Sequence, residues 1–432
     1  MLQRRVALSL IGGGAIAESL GLAAGRAAAQ GTAAPAALPR AGRAEEVGLS
    51  DERLARIGTW LKGDVEAGHI PGAIVVVGRR GRIAYMEAVG FRDRDAQAPM
   101  QQDAIFRIAS MTKPLASLAL MILAEEGKVM LWEPVSRYLP EFGDQVVGME
   151  RTPVVRPMTV HDLLRHTSGL TSPGNLHPVQ RAYAEAAVTN RALNAAQYIT
   201  GLSRMPLMYQ PGSHWEYSQS TDVVGHIVEA ASGMDLDAFI RQRITTPLGM
   251  TSTGFWAPPE AADRAARAQV DPSTGQRQNI PDVMRRPARF SGGAGGVSTA
   301  ADYARFCQML LNRGELNGTR LVSPRTIDMM TSNHLPPGTG YPPEQIARWN
   351  GLGPLPSAGY GFGLGFAVRL EPGMSPLAGT VGDYHWSGAY GTYFWVDPRE
   401  EMFAVFMVQG PSQPLRQYYR MGLRQMVYQA FV

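Results

Sequence analysis

Residues 115–123 are apolar on nearly every side of a helix, and this stretch constrains the fold more than any other. A surface helix carries a polar face, so a helix that is apolar all round has to be buried. Gly127 predicts its C-terminal end, and Pro114 is tolerated because it falls within the first turn. At 432 residues the chain is long enough to enclose such a helix in a large core.

The buried helix opens on a Ser-x-x-Lys motif formed by Ser110 and Lys113. Residues three apart share one face of a helix, and a serine becomes a nucleophile only beside a base. Only three of the 41 basic residues are lysines, and neither Lys62 nor Lys128 has a serine at this spacing. The four residues alone fit a surface lysine on a first helical turn equally well, so a catalytic role depends on the other motifs.

The order of elements along the chain predicts an α+β fold. Residues 50–67 have helical spacing, and two apolar runs parted by a turn at residues 78–81 predict an antiparallel hairpin after them. A helix followed by a hairpin begins an α+β layer, not a dinucleotide-binding unit. We predict an antiparallel sheet flanked by helices, formed by residues 46–95 and 290–432, with a mostly helical domain inserted at residues 96–289.

The N-terminus has the pattern of an export signal. Arg4 and Arg5 precede a mostly apolar run, and three alanines at positions 27–29 suit a cleavage site. We predict a signal over residues 1–29, an Ala/Pro/Gly-rich linker over residues 30–45, and a periplasmic or secreted protein. The alternative is a cytoplasmic protein with a disordered tail. No later stretch is long and apolar enough to cross a membrane.

Charge and composition exclude several classes of function. The net charge is +4, and removal of residues 1–29 takes away three arginines and one glutamate, which leaves +2 and no nucleic-acid-binding stripe. Cys307 is the only cysteine, which excludes a disulfide within the chain and a cysteine-rich metal site. His161 and His166 are five residues apart, not the four of a helical zinc pair. We therefore expect no metal and no organic cofactor.

Three motifs together resemble the serine β-lactamase and penicillin-binding-protein superfamily: Ser110-Met111-Thr112-Lys113, Tyr217-Ser218 and Trp386-Ser387-Gly388. They occur in the superfamily's order, and the connecting stretches at residues 166–170 and 295–299 are similar to it as well. The resemblance covers nearly everything from residue 46 onward. It implies a β-lactamase/transpeptidase-like fold and is closest to the class C-like family VIII carboxylesterases.

The resemblance also implies a mechanism. Ser110 would be acylated, with Lys113 and Tyr217 acting together as general base and acid. The oxyanion hole would be the backbone N–H groups of Ser110 and Ala389. The implied activity is hydrolysis of small carboxylic esters with short or medium acyl chains, with possible side activity on β-lactams.

Four further residues are implied to bind substrate: Gln219, Trp386, Ser387 and Gly388. Gln219 replaces an asparagine of true class C β-lactamases, and Trp386 replaces a lysine that attracts the β-lactam carboxylate. Losing that cation removes a charge-assisted contact, so we expect a preference for neutral esters. His385 would add positive charge only at low pH.

Other functions stay open at this point. A Ser-His-Asp hydrolase is disfavoured because no Gly-x-Ser-x-Gly motif is present. A β-lactamase, a D-amino-acid peptidase or an acyltransferase would use the same three residues. A non-catalytic binding protein of the same fold is a further alternative. The sequence gives neither the natural ester nor the oligomeric state.

Overall fold

The computed structural model describes residues 37–272, 274–349 and 353–432. The predicted export signal and the first part of the predicted linker lie outside these ranges and stay predictions. The strands, in chain order, are β1 Gly72–Arg79, β2 Arg82–Asp93, β3 Ala98–Pro99, β4 Phe106–Ala109, β5 Val146–Val147, β6 Thr152–Pro153, β7 Gly296–Ser298, β8 Glu315–Leu316, β9 Thr319–Arg320, β10 Tyr360–Phe362, β11 Ala367–Arg369, β12 Tyr384–Ser387, β13 Tyr393–Asp397 and β14 Met402–Val408.

Eight of these strands form one antiparallel sheet in the order β10-β11-β12-β13-β14-β1-β2-β3. The hairpin between β1 and β2 turns at Arg80 and Gly81, whose φ angles of 49° and 75° match the right-handed twist of the paired strands. The N-terminal part of the described chain supplies β1 to β3, and the C-terminal part supplies β10 to β14. The two parts meet where β14 pairs with β1.

The helices, in chain order, are α1 Asp51–Glu66, α2 Thr112–Glu125, α3 Val160–Leu164, α4 Pro178–Glu185, α5 Ala195–Ser203, α6 Ser220–Ser232, α7 Leu236–Ile240, α8 Thr246–Leu248, α9 Ala300–Leu311, α10 Pro324–Met330, α11 Pro343–Trp349 and α12 Gln413–Tyr428. Local sequence sets several of their ends. The Ser50 hydroxyl accepts a hydrogen bond from the Arg53 amide at the start of α1, and Gly233 ends α6 in a left-handed conformation.

Both faces of the sheet are covered by helices. Alternate side chains of β1 point to opposite sides, as the period of two requires. Ala73 and Val75 join the core beneath α1 and α12, whereas Ile74 and Val76 join the larger core that contains α2 and α9. This arrangement, an antiparallel sheet with helices on both faces, is the α+β architecture that the sequence predicted.

Helix α2 is the buried helix that the sequence predicted. Every residue from Thr112 to Leu123 is buried, and the helix packs against α6 and α7. The helices α2 to α8 all come from the chain segment between the two parts that supply the sheet. The division into two domains with the predicted boundaries stays a prediction. None of the helices in the described part of the chain has the length and apolar character needed to span a membrane.

Candidate active site

Ser110 lies on a sharp turn between β4 and α2. The preceding residue, Ala109, has a φ of 44°, a left-handed conformation that is strained for a residue with a side chain. The turn is closed by a hydrogen bond of 3.0 Å from the Met111 amide to the Ile108 carbonyl. Ser110 is half-buried, whereas its neighbours on both sides are fully buried, so the turn exposes this one residue.

Lys113 lies in the first turn of α2 and is 4% exposed. Its Nζ donates a hydrogen bond of 2.8 Å to the carbonyl of Gly293, in the loop before β7. The same atom lies 4.5 Å from the centre of the Tyr217 ring. The structure therefore brings Lys113 of α2 against Tyr217, which comes from the turn before α6.

Ser110 and Tyr217 line one cavity of about 120 Å³. The end of β12 and the residues after it form part of the same wall, so Ala389, the predicted oxyanion-hole residue, and Ser387 and Gly388, the predicted substrate-binding residues, also face this space. Helix α12 and Trp349 complete the lining, with α12 contributing Gln413, Arg416, Gln417 and Arg420. Residues separated by about 280 positions in the chain thus converge on a single small cavity.

The close approach of β12 to β4 depends on Gly388. A Cβ atom at this position would lie 2.4 Å from the Ile108 carbonyl oxygen and 2.2 Å from the Thr392 hydroxyl, so a side chain does not fit. The Gly388 amide donates to the Thr392 carbonyl at 2.8 Å, and the Thr392 hydroxyl donates to the Ile108 carbonyl at 3.2 Å. These contacts place Ala389 beside the turn that carries Ser110.

Gln219 and Trp386 are not among the described residues that line this cavity. Trp386 is 1% exposed and lies behind Tyr217 and Trp349, with ring centres 5.3 and 5.0 Å away. Gln219 lies at the start of α6, and it accepts a hydrogen bond of 3.1 Å from the hydroxyl of Tyr198. The roles of Gln219 and Trp386 in substrate binding stay predictions, and in this structure Trp386 packs behind Tyr217.

The family assignment follows from comparison with known proteins. The sequence model of the Beta-lactamase family matches residues 57–425. The chain belongs to the Beta-lactamase family.

Individual relatives of this family add detail. An uncharacterized protein of Mycobacterium tuberculosis is 35% identical over 358 residues, covering 80% of this chain and 87% of the relative. Esterase EstB of Burkholderia gladioli is 31% identical over 385 residues, covering 83% and 90%. Among solved structures, EstCE1, a hydrolase with promiscuous acyltransferase activity, superposes with a TM-score of 0.74 at 26% identity, covering 88% of this chain and 99% of EstCE1. The similarity therefore extends over nearly the whole of these relatives and includes esterases.

In this Beta-lactamase family protein, sequence reasoning missed the contribution of α12. Arg416 and Arg420 of this helix, four residues apart, share the face that opens into the cavity. Burial, and to a smaller extent the charge of Arg416, lowers the pKa of Arg420 to about 10, which still leaves it charged at neutral pH. Arg416 and Arg420 thus bring positive charge to the cavity from a helix that the argument from Trp386 did not consider, and the preference for neutral esters stays a prediction.

His385 does not provide a charge at low pH. It is 2% exposed on β12, and burial, together with the charges of Arg424, Arg369 and Arg420, holds its pKa well below the usual range. Protonation of the ring is therefore disfavoured, because it would place another cation among three arginines, and this counts against the expected contribution of His385 to the pocket.

His166 supports Tyr217 as a neutral side chain. Its ring is buried, with its centre 4.9 Å from that of Tyr217, and it contacts the Ser218 hydroxyl through Nδ1 at 3.4 Å. Burial and the nearby charge of Lys113 lower its pKa well below the usual value.

Within the described residues, no group of three or more His, Cys, Asp or Glu side chains is arranged to hold a metal ion.

Proposed function

We propose that this protein hydrolyses carboxylic esters with short or medium acyl chains through an acyl-enzyme on Ser110. The observation that supports this most strongly is the shared cavity. The hydroxyl-bearing residues Ser110 and Tyr217 line it together, and the amine of Lys113 lies against the Tyr217 ring. A nucleophile and a group able to take its proton are the minimum that such chemistry needs.

The steps follow from this arrangement. The Ser110 oxygen attacks the ester carbonyl carbon, and its proton passes to the Lys113/Tyr217 pair. The pair returns a proton to the departing alkoxide, which leaves as the alcohol. Water then attacks the acyl-enzyme and gives a proton to the same pair. The pair passes this proton to the Ser110 oxygen as the bond between that oxygen and the acyl carbon breaks, which releases the carboxylic acid and free Ser110. The negative charge on the carbonyl oxygen in each tetrahedral intermediate would be bound by the amides of Ser110 and Ala389, near the N-terminus of α2.

Two of the relatives support ester chemistry. EstB is an esterase and EstCE1 is a hydrolase with acyltransferase activity, and both are similar to this chain over most of its length. An acyl-enzyme explains how one site could perform both reactions, since an alcohol can replace water in the second step. Acyl transfer to an added alcohol is thus an expected minor activity.

One observation favours a second candidate, cleavage of β-lactams or of D-amino-acid peptides. Both substrate classes carry a carboxylate, and Arg416 and Arg420 line the cavity. A guanidinium binds a carboxylate through charge-assisted hydrogen bonds. This candidate uses the same Ser110 acyl-enzyme, so only the choice of substrate separates it from the esterase.

The test is a comparison of substrates with matched variants. Purified protein would be assayed with p-nitrophenyl butyrate and with a chromogenic cephalosporin, and kcat/KM determined for each. We expect the ester to be the better substrate, and Ser110→Ala to abolish both reactions. Ser117→Ala, which removes another serine from the same helix, is the control and should retain activity. A higher kcat/KM for the cephalosporin would favour the second candidate, and no turnover of either would favour a binding protein.

A further inference from the structure

The two amides assigned to the oxyanion hole share one feature: the carbonyl oxygen of each peptide group accepts a hydrogen bond from a side chain. The Ser110 N–H belongs to the same peptide group as the Ala109 carbonyl, and the Ala389 N–H to the same peptide group as the Gly388 carbonyl. Each of these carbonyl oxygens accepts a short hydrogen bond from a buried side chain. The Thr112 hydroxyl donates to Ala109 O at 2.6 Å, and Arg420 Nη2 donates to Gly388 O at 2.6 Å.

The Thr112 hydroxyl is held in the orientation that this bond needs. Thr112 is 1% exposed, and its Oγ1 also accepts a hydrogen bond of 2.9 Å from the Gly296 amide of β7. Because one lone pair is engaged by that amide, the hydroxyl proton is directed to Ala109 O. The peptide group held in this way includes the strained Ala109, whose left-handed backbone would otherwise favour relaxation to another orientation.

Arg420 acts on the second peptide group with a full charge. It is 7% exposed on α12, and its guanidinium reaches the Gly388 carbonyl directly. Arg416, one turn earlier, donates through Nη1 to the carbonyl of Ala389 at 2.5 Å. That carbonyl belongs to the next peptide group, whose N–H is that of Tyr390, whereas the bond from Arg420 is to the peptide that carries the Ala389 amide.

A hydrogen bond donated to the carbonyl oxygen of a peptide group strengthens the N–H of the same peptide group as a hydrogen-bond donor. The peptide group is conjugated, so a hydrogen bond to its oxygen draws electron density from nitrogen and makes the N–H a stronger donor. The effect is greater for a charged donor and inside a buried environment. The same hydrogen bond also fixes the direction of the N–H, and preorganised donors are those that stabilise a transition state most.

We propose that Thr112 and Arg420 are positioning residues that orient and polarise the two oxyanion-hole amides from behind. This proposal rests on the proposed acyl-enzyme mechanism, because it assigns a role to groups that act only when the carbonyl oxygen of a substrate becomes negative. Neither side chain needs to contact the substrate for this role.

The test uses variants that remove each donor and variants that keep it. Thr112→Val and Arg420→Met remove the donors, whereas Thr112→Ser and Arg420→Lys keep a donor at each position. Arg416→Met is the matched control, since it removes an arginine from the same helix and cavity that contacts the wrong peptide group. For each variant, kcat and KM would be measured with p-nitrophenyl butyrate, the dissociation constant with phenylboronic acid, and the melting temperature by thermal unfolding.

We expect Thr112→Val and Arg420→Met each to lower kcat by about 10-fold, less than the 10²–10³-fold loss on removing an oxyanion donor itself. KM should stay within about twofold, because the effect arises in the transition state. Binding of the boronic acid, whose adduct with a serine is tetrahedral, should weaken by the same factor as kcat. Thr112→Ser should restore most of the rate, Arg420→Lys should give an intermediate value, and Arg416→Met should have a clearly smaller effect on kcat than Arg420→Met.

Two results would overturn the proposal. The first is a loss of melting temperature or a rise in KM with kcat and boronic-acid affinity unchanged. The second is an Arg416→Met variant that matches Arg420→Met in kcat. Should Arg420→Met fail to fold, the kcat and the boronic-acid affinity of Arg420→Lys and of the two Thr112 variants decide whether the proposal stands. Ester hydrolysis that survives in Ser110→Ala would instead remove the proposed function on which the inference rests.

Discussion

The amine of Lys113 lies over the aromatic face of Tyr217, with Nζ 4.5 Å from the ring centre. A hydrogen bond of 2.8 Å to the Gly293 carbonyl holds it there. Three separate chain segments, α2, the turn before α6 and the loop before β7, therefore fix the position of one amine. The contact places a charged or proton-accepting nitrogen and a phenol in one buried unit, beside the cavity that Ser110 lines.

Tyr217→Phe tests the role of the phenolic hydroxyl separately from the role of the aromatic ring. The variant keeps the aromatic face against Lys113 but loses the group proposed to transfer protons, so kcat for p-nitrophenyl butyrate should fall by at least about 100-fold. The melting temperature should change little because the packing is retained. Tyr418→Phe, at a surface tyrosine that is 48% exposed, is the control and should keep its kcat. A Tyr217→Phe enzyme with wild-type kcat would remove the phenol from the mechanism.

Gly388→Ala should inactivate the enzyme by displacing the wall of the cavity. The added methyl group would meet the Ile108 carbonyl at 2.4 Å, and a backbone atom at that distance has to move. Movement of β12 from β4 would withdraw the Ala389 amide from Ser110, and we expect a loss of kcat of at least about 100-fold. Gly63→Ala, on α1 with open space around it, should leave activity intact and raise the stability slightly. Normal kcat in Gly388→Ala would contradict the assigned position of the oxyanion hole.

Trp386→Lys tests whether this position can accept the lysine of β-lactamases. Trp386 is 1% exposed among aromatic rings, so the change would create a cavity and bury a charge. We expect the free energy of unfolding to fall by about 3 kcal/mol or more, with no gain in cephalosporin hydrolysis. Trp132→Lys, at a tryptophan that is 74% exposed, should change stability by less than about 0.5 kcal/mol. A stable Trp386→Lys enzyme with strong cephalosporin hydrolysis would show that the pocket is more adaptable than its packing suggests.

Asp162 should make the stability of the protein depend on acidic pH. Its carboxylate accepts hydrogen bonds from Arg156 at 2.6 Å and from Arg165 at 3.0 Å. Burial raises the pKa of Asp162, but the hydrogen bonds from Arg156, the Thr159 amide and Arg165 outweigh burial and hold the pKa well below its usual range. The resulting stabilisation is complete above the unfolded-state pKa of about 3.9 and is lost as the pH falls toward the folded-state pKa.

Asp162→Asn should therefore lower the free energy of unfolding by about 3 kcal/mol at pH 7, measured by urea denaturation. The difference from the wild type should shrink as the pH is lowered below 4, because the wild-type carboxylate loses its advantage there. Asp328→Asn removes a carboxylate that also pairs with two arginines, Arg313 and Arg325, but at the surface. Its cost should stay below about 1 kcal/mol. Equal costs for the two variants would contradict the role given to burial.

Local sequence signals predicted the parts of the fold that local forces determine. The all-apolar pattern predicted the burial of α2. In the structure, Thr159 and Thr299 cap the helices that follow them through hydrogen bonds within a few residues, which are interactions of the same local kind. The Ser-x-x-Lys motif predicted one helical face for Ser110 and Lys113. Ser110 in fact precedes the first helical residue, on a turn whose strain no sequence pattern indicated.

The remaining features of the site depend on tertiary packing. Which face of α12 opens into the cavity is decided by how this helix packs on α1 and the sheet, so Arg416 and Arg420 could not be assigned from their spacing alone. The position of Trp386 behind the cavity wall likewise follows from the aromatic cluster around Tyr217. The convergence of residues 110, 217 and 389 was available only through resemblance to a family, since no local rule relates such distant positions.

The most direct test of the central claim is to identify the residue that becomes acylated. The protein would be incubated with a fluorophosphonate or a slowly deacylating p-nitrophenyl ester, digested, and its peptides analysed by mass spectrometry. We predict a single modified residue, Ser110, with labelling absent in Ser110→Ala and preserved in Ser117→Ala. Modification of a different residue, or ester hydrolysis that persists in Ser110→Ala, would contradict the account.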